Sequence, residues 1–143
     1  MSKSNLHENA YLKLIFQNIA MANVGDASGI QPSAGAGELF IALYKTDPND
    51  ADSGTEANYD SYERVGVPRS VIGWAVTENV ASNVGDVVFP VSLGTDNIIT
   101  HWAVRTALTG GDLIGSGSLT GIVTIITGDT PRFNAGTITI TED

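Results

Sequence analysis

The sequence predicts a mainly β protein, an antiparallel β-sandwich or jelly-roll-like domain preceded by one N-terminal α-helix. Three observations carry this. One segment near the N-terminus has helical periodicity. β-Branched and aromatic runs fill the rest of the chain, and clusters of Gly, Asp, Asn and Pro separate them at short intervals. No stretch between those runs is long enough for the crossover helices of a βαβ arrangement. At 143 residues, 42% hydrophobic and 16% charged, the chain can bury a core and is too apolar to be a disordered acidic tail.

The helix comes first. Leu6, Ala10, Tyr11, Leu14, Ile15, Ile19 and Ala22 recur at helical spacing, with Glu8, Lys13 and Gln17 away from the stripe they form. Asn5 with Glu8 fits a capping box, and Gly25 with Asp26 fits a stop. Leu12, Phe16 and Met21 fall off the main stripe, so the helix is expected to be apolar on more than one side and to touch two surfaces. Residues 1–25 are therefore read as a helix that makes an assembly contact through Leu6, Leu12, Leu14, Ile15, Phe16 and Ile19, and residues 26–143 as a single β folding unit. The run ending in Ala20-Met21-Ala22 superficially suits a cleavage site. Glu8, Asn9, Lys13, Gln17 and Asn18 interrupt it, so neither a signal peptide nor a membrane span is expected.

Asp26 to Glu38 is rich in Gly, Ala, Ser and Pro and reads as a linker. Strands are expected at Leu39–Lys45, Arg64–Pro68, Trp74–Thr77, Val84–Val91, Ile98–Thr106, Asp112–Leu119, Ile122–Thr127 and Thr137–Thr141. In the fifth of these, alternation puts Ile98, Thr100, Trp102 and Val104 on one face, expected to be core, and Ile99, His101, Ala103 and Arg105 on the other.

The chemistry is sparse. With no cysteine there are no disulfides, thiolate nucleophiles or sulfur-ligated metals. A net charge of −9 repels nucleic acid and anionic membrane surfaces, so neither is an expected partner. His7 and His101 have no second histidine or cysteine at metal-ligand spacing and read as solvated or locally bonded. Asp52-Ser53-Gly54-Thr55 matches the aspartic-protease signature but follows a polar stretch instead of an apolar strand, and reads as a surface turn. Gly115-Ser116-Gly117 with Gly121 approaches a dinucleotide fingerprint at the wrong spacing, and reads as part of a strand connection. Asp47, Asp50, Asp52, Glu56, Asp60 and Glu63 supply the oxygen ligands calcium prefers, yet fit no EF-hand register, which favours a solvated acidic loop. Tyr59 and Tyr62 close that loop. Asp50, Asp52, Tyr59 and Tyr62 are thus the candidates for contact with a sugar or protein, against the plainer reading that the tyrosines pack the loop onto the sheet. No catalytic set and no cofactor are expected.

The order of segments resembles a known family. Ser4 to Asn23 followed by Leu39-Phe40-Ile41-Ala42-Leu43-Tyr44-Lys45-Thr46-Asp47-Pro48, then Tyr62-Glu63-Arg64-Val65, Gly73-Trp74, Ala81-Ser82-Asn83, Phe89-Pro90, Ile99-Thr100-His101-Trp102, Gly117-Ser118-Leu119-Thr120, Pro131-Arg132-Phe133 and the closing Ala135-Gly136-Thr137-Ile138-Thr139-Ile140-Thr141-Glu142-Asp143 resemble small virion proteins encoded in the structural modules of tailed bacteriophages. Members carry two labels, tail-fibre protein and head decoration or cement protein. The resemblance implies a virion component without catalytic residues. The expected role is a decoration protein on the capsid exterior, made in the host cytoplasm, that binds the major capsid protein and itself as a homo-oligomer, a trimer among the options. The alternative is a tail-fibre or receptor-binding component that recognises a host surface glycan or protein. Lacking a repetitive shaft or coiled-coil stretch, the sequence favours the head.

Overall fold

A computed structural model describes residues 2–143. Among them are one helix, α1 (Asn5–Gln17), and strands β1 (Glu38–Tyr44), β2 (Val65–Pro68), β3 (Trp74–Thr77), β4 (Val80–Asn83), β5 (Val87–Val88), β6 (Asn97–Arg105), β7 (Leu113–Ile125), β8 (Arg132–Phe133) and β9 (Thr139–Thr141). The protein is mainly β with antiparallel sheets and a single N-terminal helix, as the sequence predicts. The chain forms two compact units: Met1–Glu38 with Val67–Asp86 and Asn134–Asp143, and Leu39–Gly66 with Val87–Phe133. α1 therefore does not stand apart as a 1–25 segment; it shares the first unit with β3, β4 and β9.

In the first unit, α1 begins at Ser4, whose hydroxyl accepts from the backbone N–H of His7, one residue before the expected cap. It ends at Asn18 in the left-handed conformation, φ 56°, well before Gly25. Its inward face is also not the expected one. Glu8, Leu12 and Phe16, one turn apart, are buried, whereas Leu6 is 79% exposed. The periodicity alone could not choose between two apolar stripes; Trp74 does. Its ring packs edge-on to Phe16 at 4.8 Å, and its carbonyl accepts from Gln17 Nε2.

The sheet of this unit runs β3-β4-β9. Of Val84–Val91, expected as one strand, only β5 (Val87–Val88) is strand; β4 (Val80–Asn83), which the sequence did not predict, ends just before it. Asn83 is the reason for the break. Its buried side chain donates to the carbonyls of Gly85 and Asn134 and accepts from Ile138 N–H, bonds that hold a turn on one side and the approach to β9 on the other.

In the second unit, β6 pairs antiparallel with β1 (Leu43↔Trp102) and with β7 (Trp102↔Gly117). The two strands expected at Asp112–Leu119 and Ile122–Thr127 form one, β7, which carries Gly115 and Gly117 in its ladder. The register shifts between Ile99/His101, and this overturns the expected facing of β6. Ile98 is 56% exposed and Ile99 is buried, the reverse of the prediction. Beyond the shift Trp102, Ala103, Val104 and Arg105 are all buried, so strict alternation does not apply there. Trp102 is nevertheless interior, and its indole lies against the backbone of Gly117, where an added Cβ would stand 2.6 Å from Cζ2. β5 and β8 make a separate antiparallel ribbon, Val87↔Phe133 and Val88↔Arg132.

Two substitutions check this packing by thermal unfolding. Trp74→Ala should cost about 3–5 kcal/mol by emptying the space between α1 and β3. Gly117→Val should cost about 1–3 kcal/mol by displacing the Trp102 ring; an unchanged Tm would reject that contact.

Candidate functional site

The acidic loop belongs to the second unit, where arginines shape it. Asp47 Oδ1 accepts from Asn49 N–H and Asn49 Oδ1 from Ala51 N–H, successive side-chain turns that bend the chain back. Asn49 (φ 47°) and Asp52 (φ 51°) adopt the left-handed conformation needed to complete the reversal. Asp52-Ser53-Gly54-Thr55 is thus a turn, as expected, with Ser53 N–H on Pro48 O.

Asp52 is gripped by a fork. Both terminal nitrogens of Arg105 donate to its carboxylate, at 2.6 and 2.7 Å, and Arg105 also donates to Tyr44 Oη and Gly111 O. A second fork lies beside it. Arg64 Nε and Nη2 each reach Glu56 at 2.8 Å, while Nη1 donates to the carbonyls of Ala107 and Gly110. Tyr62 Oη donates to the same Glu56 carboxylate and accepts from Leu43 N–H. The two forks together fasten 52–64 to 105–111.

The electrostatics follow. Hydrogen bonding from Arg105 holds the Asp52 carboxyl below the usual carboxylate range. Burial pushes Glu56 upward, but its bonds from Arg64 and Tyr62 outweigh that and leave it lowered. Burial raises the Tyr62 and Tyr44 phenols, the neighbouring Glu56 charge adding to both, and raises Tyr59 to about 12.

Of the four predicted ligand-loop residues, only Asp50 stands free in solvent. Asp52 is held by Arg105. Tyr59 is 2% exposed and donates to Pro90 O. Tyr62 sits edge-on to Tyr59 at 5.3 Å and stacks on Phe89 at 6.3 Å, which in turn meets Phe133 at 6.2 Å. The tyrosines therefore pack the loop onto the β5–β8 ribbon, the plainer of the two readings. Among the described residues no group of three His, Cys, Asp or Glu is placed to hold a metal ion. His101 bonds locally, its Nδ1 2.7 Å from Thr100 Oγ1. The apolar hollow between Leu43, Ile99, Leu119, Val123 and Phe133 encloses about 130 Å³, less than small-molecule sites usually offer.

The predicted assembly residues lie in the first unit and divide into three groups. Leu12 and Phe16 are committed to its interior, Leu14 and Ile15 are half-buried, and Leu6 and Ile19 face solvent. Arg69 holds the end of the helix, donating to the carbonyls of Leu14 and Ile15 at 2.6 Å each. Sequence reasoning passed over Arg64, Arg69 and Arg105. The signal was present: with 7 Lys and Arg against 16 Asp and Glu, an arginine between buried segments has its choice of carboxylates.

A family model described as podophage GP4 fiber I protein gp80 matches residues 2–141. No curated protein matches the chain.

Arg64→Met should lower the Tm and free the loop to proteolysis. The loss should fall below the about 3–5 kcal/mol of a fully buried broken pair, because the Glu56 side chain is 26% exposed. The pH dependence has a definite sign. Asp52 and Glu56 have lowered folded pKa values, so their stabilisation is complete above their unfolded values, 3.8 and 4.5, and is lost as pH falls through the folded ones. The Tm should fall on acidification through that range, and Asp52→Asn with Glu56→Gln should flatten the fall.

Proposed function

The chain belongs to this podophage fibre-protein family and is a structural protein of the bacteriophage virion; we propose that it is a fibre component that works by burying surface against other virion proteins and turns over no substrate. The observation that carries this is a contrast within the chain. The groups with chemical potential, Asp52, Glu56, Tyr59 and Tyr62, are occupied internally. Large apolar side chains meanwhile stand in water: Leu6 is 79% exposed, Val71 64% and Ile72 77%. Exposed apolar groups of this size mark contact surfaces when they cluster, as Val71 and Ile72 do. The same contrast weighs against receptor binding through the tyrosine loop, because Tyr59 offers no face to a glycan.

Capsid decoration against the major capsid protein is the second reading. It is favoured by the length of the elements: α1 and β7, at 13 residues each, are the longest among the described residues, and neither is a projecting shaft.

Labelling the protein on intact particles separates the two readings. Signal on fibres is expected; signal spread over the shell would establish decoration instead. Leu6→Asp tests the helix as a contact. Leu6 lies exposed in the first turn of α1, where an acidic side chain suits the helix dipole, so stability should change by no more than about 0.5 kcal/mol. Incorporation into particles should drop, and wild-type incorporation would remove α1 from the contact surface.

A further inference from the structure

β7 is an edge strand: its sheet has the order β2-β1-β6-β7. Its ladder to β6 holds one register from His101↔Ser118 to Val104↔Gly115, with Arg105↔Leu113 beyond a shift, and lapses after Ser118 until Ile99↔Val123. Among the described residues no strand pairs with the far side of 113–118. Such an edge presents a row of N–H and C=O groups that captures an extended chain unless something deters it. Here the deterrent is charge of one sign. A groove separates this stretch from the chain reversal at 47–52. One end, about 590 Å³, is lined by Asp50, Asp52, Asp112 and Ser116, and the other, about 400 Å³, by Asp47, Asp50, His101 and Ser118. Asn49, Asp50 and Ser116 line both, so the two hollows adjoin, and neither is lined by a lysine or arginine. Asp52 is taken by Arg105, and Asp47 accepts from Asn49 N–H with its other oxygen 3.8 Å from His101 Nε2. Asp50 and Asp112 are exposed, and among the described residues no hydrogen bond or ion pair engages their carboxylates.

Charge complementarity identifies the occupant. Carboxylates along an open strand turn away a second copy of this chain, whose own edge carries the same charges, and they attract a basic segment. A single metal ion does not fit, because among the described residues no three His, Cys, Asp or Glu converge to hold one. The chain cannot supply the segment itself. Its two basic residues nearest in sequence, Arg64 and Arg69, are five positions apart, an odd spacing that sends them to opposite faces of a strand. We propose that residues 113–118 of β7 bind an extended basic segment of another virion protein as an added strand, with lysines or arginines at alternate positions reaching toward Asp50 and Asp112. Backbone pairing gives the affinity, and the carboxylates select the sign and register of the guest. This deepens the proposed function, from which it takes the class of the partner.

Peptide binding to the purified full chain tests it, with an acetylated octapeptide that alternates lysine and valine as the probe. Fluorescence anisotropy should show binding that weakens as salt rises. Asp50→Asn with Asp112→Asn should weaken it about tenfold, the worth of two exposed ion pairs. Neither carboxylate is used inside the fold, so circular dichroism of that variant should stay unchanged. Hydrogen exchange on the wild type keeps the test independent of any variant: amides within 113–118 should gain protection as the peptide saturates. Two control peptides should fail to bind, one alternating glutamate with valine, the other the lysine peptide N-methylated at every second residue, which keeps its charge and loses one pairing edge. Binding by either control, indifference to the two substitutions, or protection confined to other amides would each overturn the proposal. So would calcium ions alone that protect 113–118, or a wild type that dimerises through them. Failure of the virion reading would show differently, as absence from particles with peptide binding intact.

Discussion

Three arginine guanidiniums hold the parts of this chain that no strand ladder could hold. Arg105 and Arg64 fix the loop between β1 and β2 to the turn after β6, and Arg69 fixes the last carbonyls of α1. Each is multivalent: the planar forks of Arg64 and Arg105 each satisfy a carboxylate and backbone carbonyl oxygen at once, and that of Arg69 satisfies two helix carbonyls, which a lysine could not do. The connections they tie down are long and polar, with little apolar surface of their own to bury. Released, such a loop would recover its chain entropy, and the carbonyls of Ala107, Gly110 and Gly111 would lose their donors.

The same bonds decide what the surface can do. A loop carrying Asp47, Asp50, Asp52, Glu56, Asp60 and Glu63 would look like a cation trap if its carboxylates were free. Arg105 takes Asp52 and Arg64 takes Glu56, while Tyr59, Tyr62, Phe89 and Phe133 form an aromatic file that anchors the loop to the β5–β8 ribbon. Outside, free carboxylates such as Asp50 stand beside exposed apolar groups at the helix start and at the turn tip Val71-Ile72. A molecule built in this way suits burial against neighbours, in keeping with a virion family.

The residues that hold each unit together are not the apolar ones left exposed. The first unit is centred on Trp74, Phe16 and Leu12, with Asn83 placing the return of the chain into β9. The second is centred on the buried β1–β6 pair, where the Trp102 indole lies close to Gly117. None of these side chains is offered to a partner.

By itself the sequence determined the fold class, the helix near the N-terminus, most strand positions and the poverty of catalytic groups. These follow from local periodicity, turn chemistry and composition, which act over a few residues. The resemblance read from short ordered motifs pointed to the virion, and the family match agrees. Only the tertiary structure decided which stripe of α1 faces inward, because Leu12 and Phe16 were as apolar as Leu14 and Ile15 until Trp74 arrived from β3 to select them. It also decided the facing of β6, since a register shift is set by the neighbouring strand and leaves no mark in the alternation of the strand that suffers it. The fate of the acidic loop was likewise non-local: Asp52 and Arg105 lie 53 positions apart, and only folding brings their charges within 3 Å.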